Sequence, residues 1–105
     1  MKKTLGLGCV LCASLGAAGE KKDADQALDR FYCAYLEADF ARRPLQATRC
    51  GDHRFDDRID DLSAEARAAR LAQVRQTLDA LPKAVDYASL SRSGQIDFET
   101  FRDSL

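Results

Sequence analysis

The sequence predicts an all-α protein: a signal peptide followed by three to four amphipathic helices that form an incomplete part of a larger helical domain. Apolar residues recur at steps of three and four along several segments, which is typical of helices with one buried face. Proline and glycine separate these segments, and serine precedes two of them as a helix cap. No segment shows the alternation of a strand, and no repeat or low-complexity tract occurs in the sequence.

The first residues predict a secretory signal peptide over residues 1–19. Lys2 and Lys3 form a basic start, an apolar run spans residues 5–15, and small residues then lead into charged ones. A basic start, about 7–15 apolar residues and small residues before the cleavage point are typical of such peptides. The alternative, a buried N-terminal helix, fits the glycines and lysines less well. We expect cleavage after Ala18 or Gly19, and a periplasmic or secreted protein.

Length and charge limit the classes of partner. The apolar run is shorter than the roughly 20 residues of a membrane span, so no membrane association is expected after cleavage. The chain carries 16 basic and 17 acidic residues, and losing Lys2 and Lys3 leaves 14 against 17, a net charge of −3. These charges are interspersed and form no basic face for phosphates, so we expect no nucleic acid partner. Residues 20–105 then form one small helical unit.

Residues 24–42 predict an amphipathic helix with an aromatic face. The apolar residues of this face are Leu28, Phe31, Tyr32, Tyr35, Leu36 and Phe40. Such a face needs a sizeable partner surface. Asp39 falls within the same face, and we expect it to pair with Arg43 one turn later, in the favoured acid-before-base order. The alternative is a functional carboxylate at this position.

Pro44 predicts a break after the first helix, because proline disfavours helix at the preceding residue yet suits a first helical position. A short helix is expected over residues 45–49. Gly51 is expected to end it in the left-handed conformation that glycine adopts without strain.

Residues 52–61 form the most polar stretch, and they include five aspartates. A calcium-binding loop needs oxygen ligands, a glycine and a final glutamate at fixed positions, and no start in this stretch meets them. The lone histidine of the chain lacks partners at the spacing of a zinc site. We therefore predict a surface loop whose charges pair among themselves, with Phe55, Ile59 and Leu62 turned inward.

Two further helices are predicted. Ser63 is the expected N-cap of the first, Glu65 lies in its first turn, and Pro82 is expected to end it. Its narrow apolar stripe suits close packing against another helix, and consists of Ala64, Ala68, Leu71, Val74, Leu78 and Leu81. Ser91 is the expected cap of the last helix, in which Phe98, Phe101 and Leu105 share one face. The face ends on the apolar Leu105 without a partner for the last turn, which is what we expect of a truncated domain.

Cys33 and Cys50 are candidates for a disulfide, because export would place them in an oxidising compartment. A bridge that closes a loop of this length adds about 3 kcal/mol in the chain-entropy picture. The alternative is two small apolar residues that do not meet.

An ordered set of motifs carries a family resemblance. The motifs are Tyr35-Leu36-Glu37-Ala38-Asp39-Phe40, Arg43-Pro44-Leu45-Gln46-Ala47-Thr48, Gly51-Asp52-His53-Arg54-Phe55-Asp56-Asp57-Arg58, Asp61-Leu62-Ser63-Ala64-Glu65-Ala66 and, last, Leu90-Ser91 followed by Gln95-Ile96-Asp97. The set resembles the N-terminal region of the bacterial family known as domain of unknown function 885. This resemblance covers nearly everything after the predicted signal peptide.

The resemblance implies a long, helical and often exported protein that looks like a metal-dependent peptidase of the zincin type. Zinc is implied only for the full-length family, whose His-Glu and Pro-Gly-His motif lies far downstream of the part matched here. Such a motif places two imidazoles on one helix face around the metal, with the glutamate as general base. This chain has one histidine and no His-Glu pair, so we expect no catalytic residue, metal ligand or cofactor in it. His53, Arg54 and Asp56 are candidates to line a cleft of the whole protein.

Three functional hypotheses follow. The first is a non-catalytic N-terminal segment of such a peptidase, inactive alone, whose partner is the missing C-terminal part of the same protein or a second copy. The alternative is a stand-alone secreted helical protein that offers its aromatic face to a partner. A small metal-binding module built on the aspartate-rich loop is the least favoured hypothesis.

Overall fold

The fold is all-α, as predicted. The structure, a computed structural model, describes residues 12–105. Its helices are α1 (Cys12–Arg42), α2 (Pro44–Arg49), α3 (Ala64–Ala84) and α4 (Arg92–Ser104). Short 3₁₀ turns at His53–Phe55 and Tyr87–Ser89 lie in the connections that precede α3 and α4. No strand occurs in the part of the chain that the structure describes.

Helix α1 is longer than the helix predicted over residues 24–42, because it begins at Cys12. Glycines upstream of residue 24 cost about 1 kcal/mol each relative to alanine, but the alanine, glutamate and lysine around them favour a helix. Of the signal peptide predicted over residues 1–19, residues 1–11 lie outside the described residues, and the expected cleavage point after Ala18 or Gly19 lies within α1. Within the described range, no helix combines the length and the apolar character that crossing a membrane requires.

The aromatic face of α1 packs against α4. Phe101 of α4 is buried, and its ring makes an edge contact with Tyr32 at a centroid distance of 4.8 Å. The rings of Phe31 and Tyr35 lie 6.2 and 5.4 Å from the same ring. Edge-to-face contacts of this kind add about 0.5–1.5 kcal/mol each beyond the buried area. The partner surface that the aromatic face was expected to need is therefore supplied largely within the chain.

The hydrophobic core lies where α1, the end of α3 and α4 meet, and we call it the three-helix junction. Its buried members are Leu28, Leu81, Val85, Leu90, Phe98 and Phe101. Leu105 packs against this cluster and is partly buried, so Phe98, Phe101 and Leu105 share one face as predicted. Because α1 contacts α2, α3 and α4, it is the element on which the other helices are arranged.

Two expectations for α3 are wrong. The helix runs to Ala84 through Pro82, since a proline near a helix end removes only one backbone hydrogen bond. The predicted apolar stripe is wrong for Leu71 and Leu78, which are 50% and 37% exposed. Val74 and Leu81 of that stripe are half-buried and buried, and the other half-buried side chains of α3 are Ala66, Ala69, Gln73 and Thr77. The packed face of α3 therefore includes Leu81 but is rotated away from Leu71 and Leu78.

The break at Pro44 and the end of α2 follow the predictions. Pro44 is the first residue of α2, and Gly51 adopts a φ of +88° just after the helix. Asp39 is 2% exposed and forms the predicted ion pair with Arg43, whose Nε lies 2.9 Å from Oδ1. This hydrogen bond raises the pKa of Arg43, and burial together with the Asp39 carboxylate raises the pKa of Tyr35. Arg43 therefore neutralises the buried charge of Asp39 at the turn between α1 and α2.

Candidate functional site

The polar loop after α2 is held by Asp52 and Arg54. The Asp52 side chain accepts the backbone N–H of Arg54 at 3.1 Å and so caps the 3₁₀ turn. The Arg54 guanidinium donates to Asp52 at 2.6 Å and to Glu37 of α1 at 2.8 Å. These hydrogen bonds lower the pKa of Asp52 to about 2 and raise the pKa of Arg54. Arg54 thus ties the loop to α1, and the prediction that charges of this loop pair among themselves is confirmed for this pair.

His53 and Thr48 both bond to Asp56. Nδ1 of His53 lies 2.9 Å from Oδ2, and the Thr48 hydroxyl donates to Oδ1 at 2.5 Å. The Thr48 hydrogen bond, followed by that of His53, lowers the pKa of Asp56. Nucleophilic catalysis requires the base next to the hydroxyl, whereas here the carboxylate stands between imidazole and hydroxyl. The arrangement fastens the loop to α2 and does not activate Thr48.

The predicted cleft-lining residues are thus brought together as a polar cluster at the surface. His53 and Arg54 have side chains that are 67% and 57% exposed. Asp56 lines a shallow groove of about 390 Å³, shared with Leu45 and Arg58. Whether the three line a cleft in a larger protein stays a prediction.

A larger groove of about 690 Å³ lies between the α1–α2 turn and the start of α3. We call it the arginine groove, because its lining includes Arg42, Arg43, Arg49, Arg58, Arg67 and Arg70. Small side chains, Ala41, Ala66 and Ala69, leave room along it. Its exposed aliphatic side chains are Leu45, Ile59 and Leu62. Sequence reasoning missed this site, since its arginines come from four separate stretches of chain.

The inward orientation predicted for Ile59 and Leu62 is wrong, since they are 92% and 78% exposed. The Asp60 carboxylate accepts the backbone N–H of Leu45 at 2.9 Å, so the polar neighbour of Ile59 makes the hydrogen bond to α2, whereas Ile59 lines the groove. Leu62 precedes the Ser63 N-cap, where an apolar side chain often packs against an apolar residue at the fourth position of the helix. The fourth residue of α3 is Arg67, so Leu62 has no apolar partner there. Of the three side chains predicted to turn inward, only Phe55 is half-buried. The Cζ atom of Arg54 lies over its ring, 5.4 Å from the ring centroid.

The residues that the structure describes do not fit the zinc that the family resemblance implies. Among residues 12–105, no group of three or more His, Cys, Asp or Glu side chains is placed to hold a metal ion. The single histidine is already bonded to Asp56. Cys33 and Cys50 are free and exposed, and the disulfide considered from the sequence is not formed in the structure. The Cys50 thiol instead accepts a weak hydrogen bond from the Gln46 side chain at 3.6 Å.

A contact between α1 and α4 was also missed. Oδ1 of Asp25 accepts the backbone N–H of Ser91 at 3.0 Å, and Ser91 Oγ accepts that of Gly94 at 3.0 Å. Together they satisfy two of the amide donors that a helix start leaves without partners. A Cβ at Gly94 would overlap Asp25 Oδ1, so the glycine permits the close approach of the two helices. Only the Ser91 cap could be predicted, because Asp25 lies 66 positions away.

The helices and grooves define a small all-α unit that presents an arginine-rich, partly apolar surface. The chain belongs to the family described as bacterial protein of unknown function (DUF885), whose sequence model matches residues 44–105, more than half of the chain. The match begins at the first residue of α2, so the aromatic motif of residues 35–40 lies outside it. Neither a curated protein nor a solved structure matches the chain.

Proposed function

We propose that this chain is a non-catalytic helical segment of an exported, metal-dependent peptidase of the zincin type, and that it has no activity alone. The observation that carries the proposal is the family match over residues 44–105 in a sequence that has one histidine. A zincin needs at least two imidazoles and a glutamate on one helix, which this chain lacks. Any catalysis must therefore use ligands from other polypeptide.

The role that we assign to the segment is structural support. The three-helix junction holds α1, α3 and α4 through buried aliphatic and aromatic side chains. On other faces, Ile59, Leu62 and Leu71 remain exposed by at least half. Because burial of such side chains is favourable, polypeptide that bears the catalytic motif would be stabilised by packing on them.

A peptidase assay with the purified chain tests the absence of activity. With added zinc we expect no hydrolysis of a mixed peptide library and no heat of zinc binding by calorimetry. Hydrolysis that is lost on chelation of the metal and restored by zinc would contradict the proposal. Reading the gene beyond codon 105 in all frames tests the link to a peptidase. A His-Glu-x-x-Pro-Gly-His segment there supports it, and several hundred bases of unrelated sequence contradict it.

Export is part of the proposal, supported by the basic start and the apolar run of residues 5–15. Expression in a Gram-negative host should yield a periplasmic product whose new N-terminus follows Ala18 or Gly19. Replacing Leu11 by Arg interrupts the apolar run and should leave the full-length chain in the cytoplasm. A cytoplasmic, uncleaved wild-type product would contradict export.

The alternative is a stand-alone secreted helical protein that binds a partner. What favours it is the same set of exposed aliphatic side chains, now as an interface of the isolated chain. The alternative requires that the isolated chain unfold in one cooperative transition. A molten or aggregating isolated chain would contradict the alternative and favour the segment hypothesis.

A further inference from the structure

We propose that the arginine groove binds an acidic, amphipathic segment of polypeptide. This inference concerns a binding site of the chain itself and does not rest on the peptidase hypothesis. It is argued from the positive charge of the groove and from its exposed aliphatic side chains, because few classes of ligand can bind both.

The groove carries an excess of positive charge, five arginines against three carboxylates once the paired Arg43 is set aside. Its lining contains six arginines against three carboxylates, from Asp60, Asp61 and Glu65. Arg43 is neutralised by Asp39, which lies outside the lining. The other five arginines make no ion pair within 4 Å to any residue that the structure describes. This excess is local, since the whole chain has a net charge of −1.

Two of the three carboxylates have local roles. Asp60 accepts the Leu45 amide at 2.9 Å, and Asp61 accepts the Ser63 amide at 2.9 Å. The Ser63 hydrogen bonds also lower the pKa of Asp61. These carboxylates shape the backbone and do not contact the arginines. The guanidinium groups therefore remain available to carboxylates of a partner, which they bind with directed, charge-assisted hydrogen bonds.

The apolar side chains of the groove indicate a ligand that is larger than a single anionic group and has apolar side chains of its own. Leu45 is 52% exposed, and Ile59 and Leu62 are exposed almost completely. A phosphate or a single carboxylate would leave these side chains in water. An amphipathic helix would place apolar side chains on them and acidic side chains near the arginines, which is the usual helix-in-groove mode of recognition.

Nucleic acid fits the groove less well. Proteins that bind single strands stack bases on aromatic side chains, and the lining of the arginine groove contains none. The exposed isoleucine and leucines also offer nothing to a phosphate backbone. Polypeptide is therefore the favoured class, and an oligonucleotide is a comparison ligand for the test.

The test is fluorescence anisotropy of a labelled synthetic peptide with the full chain. The peptide carries leucine at positions i, i+3, i+4 and i+7 of a helical pattern and glutamate at most others. We expect it to bind, and a peptide with lysine for every glutamate not to bind. Added salt should weaken the acidic peptide's binding, because screening acts on exposed charge pairs. No binding of the acidic peptide, or equal binding of both peptides, would overturn the proposal.

Groove variants locate the binding. Ile59→Ser should raise the Kd by about ten-fold, because it removes a large apolar contact. The double variant Arg58→Glu with Arg67→Glu should raise the Kd by at least about ten-fold. Matched controls are Ile96→Ser, at a half-exposed position of α4, and Arg75→Glu, on α3 outside the groove. Circular dichroism checks that every variant stays helical.

The outcomes separate the possible ligands. Binding that falls in the groove variants but not in the controls supports the proposal. Binding that is unchanged in the groove variants places the peptide elsewhere and overturns it. A single-stranded oligonucleotide that binds more tightly than the acidic peptide, and loses affinity in the arginine variants, would reassign the groove to nucleic acid.

Discussion

The three-helix junction and the arginine groove are two regions of one small chain that are stabilised in different ways. In the junction, Leu81, Val85 and Phe101 are buried and packed against α1. Around the groove, the buried side chains are Pro44, Ala47 and the paired Asp39, while Ile59 and Leu62 lie in water. The hydrogen bond from the Leu45 amide to Asp60 and the ion pair of Asp39 with Arg43 replace apolar burial there.

The difference shows how the chain can combine a stable support with an adaptable surface. Apolar burial involves no charge that salt screens or acid neutralises, whereas exposed ion pairs are screened by salt and lost in acid. The junction should therefore dominate the free energy of unfolding. The groove should respond most to solution conditions and to partners. Variants in each region test this difference.

The largest effect is expected for Leu81→Ala in the junction. Leu81 has no exposed surface, and truncating a fully buried leucine costs about 2–5 kcal/mol. Leu71→Ala on the same helix is the matched control, because Leu71 is half exposed and lies outside the core. It should cost less than about 1 kcal/mol. Urea denaturation measures both, and equal losses would show that α3 packs through its other face.

Arg43→Gln should have the next largest effect. It removes the partner of Asp39 and leaves a buried carboxylate without compensation. Because Arg43 is partly exposed, we expect a loss at the lower end for buried pairs, about 2–3 kcal/mol. Arg42→Gln is the control, since Arg42 forms no ion pair with the described residues and should be nearly neutral. Similar stability of both variants would show that the Asp39 pair contributes little.

Gly94→Ala tests the close approach of α1 and α4. The added methyl displaces Asp25 from Ser91, and losing that hydrogen bond should cost about 1–2 kcal/mol. In an Asp25→Ala background the same change should be neutral or stabilising, because alanine favours a helix by up to about 1 kcal/mol over glycine. A double-mutant cycle from thermal unfolding measures the coupling. Additive losses would contradict the assigned contact.

The smallest expected effect is a loss of thermal stability in acid through protonation of Asp52. In the folded chain the pKa of Asp52 is about 2, below its ordinary value of 3.8, so its ionised form stabilises the fold above about pH 4. This contribution is lost as the pH falls from about 4 toward 2. Asp52→Asn keeps a cap for the 3₁₀ turn but has no charge to titrate. The Tm of the wild-type chain should therefore approach that of the variant in acid, and a constant difference would contradict the pairing with Arg54.

Local features of the fold could be predicted from the sequence because their causes are local. Ser63 and Ser91 cap their helices, and Pro44 and Gly51 bound α2, through backbone geometry that a few residues determine. The pair of Asp39 and Arg43 is four residues apart on one helix. The burial of Phe98 and Phe101 follows from the strong amphipathic pattern of α4.

The errors arose where tertiary contacts decide the outcome. Leu71 and Leu78 fit an apolar stripe, but α3 packs through Leu81, Val74 and small or polar side chains that an apolar pattern does not single out. Next to Ile59, the Asp60 carboxylate bonds to α2 while Ile59 stays exposed, which apolar pattern alone does not show. The arginine groove is assembled from distant stretches, and only the folded chain brings its charges together.

Hydrogen exchange measured residue by residue on the isolated chain tests the division into two regions most directly. Amides of Leu81, Val85 and Phe101 should exchange slowest, with a free energy of opening close to that of global unfolding. Amides from Arg54 to Leu62 should exchange through small local openings at much lower free energy. Equal protection of both regions, or faster exchange in the junction than in the loop, would contradict the account.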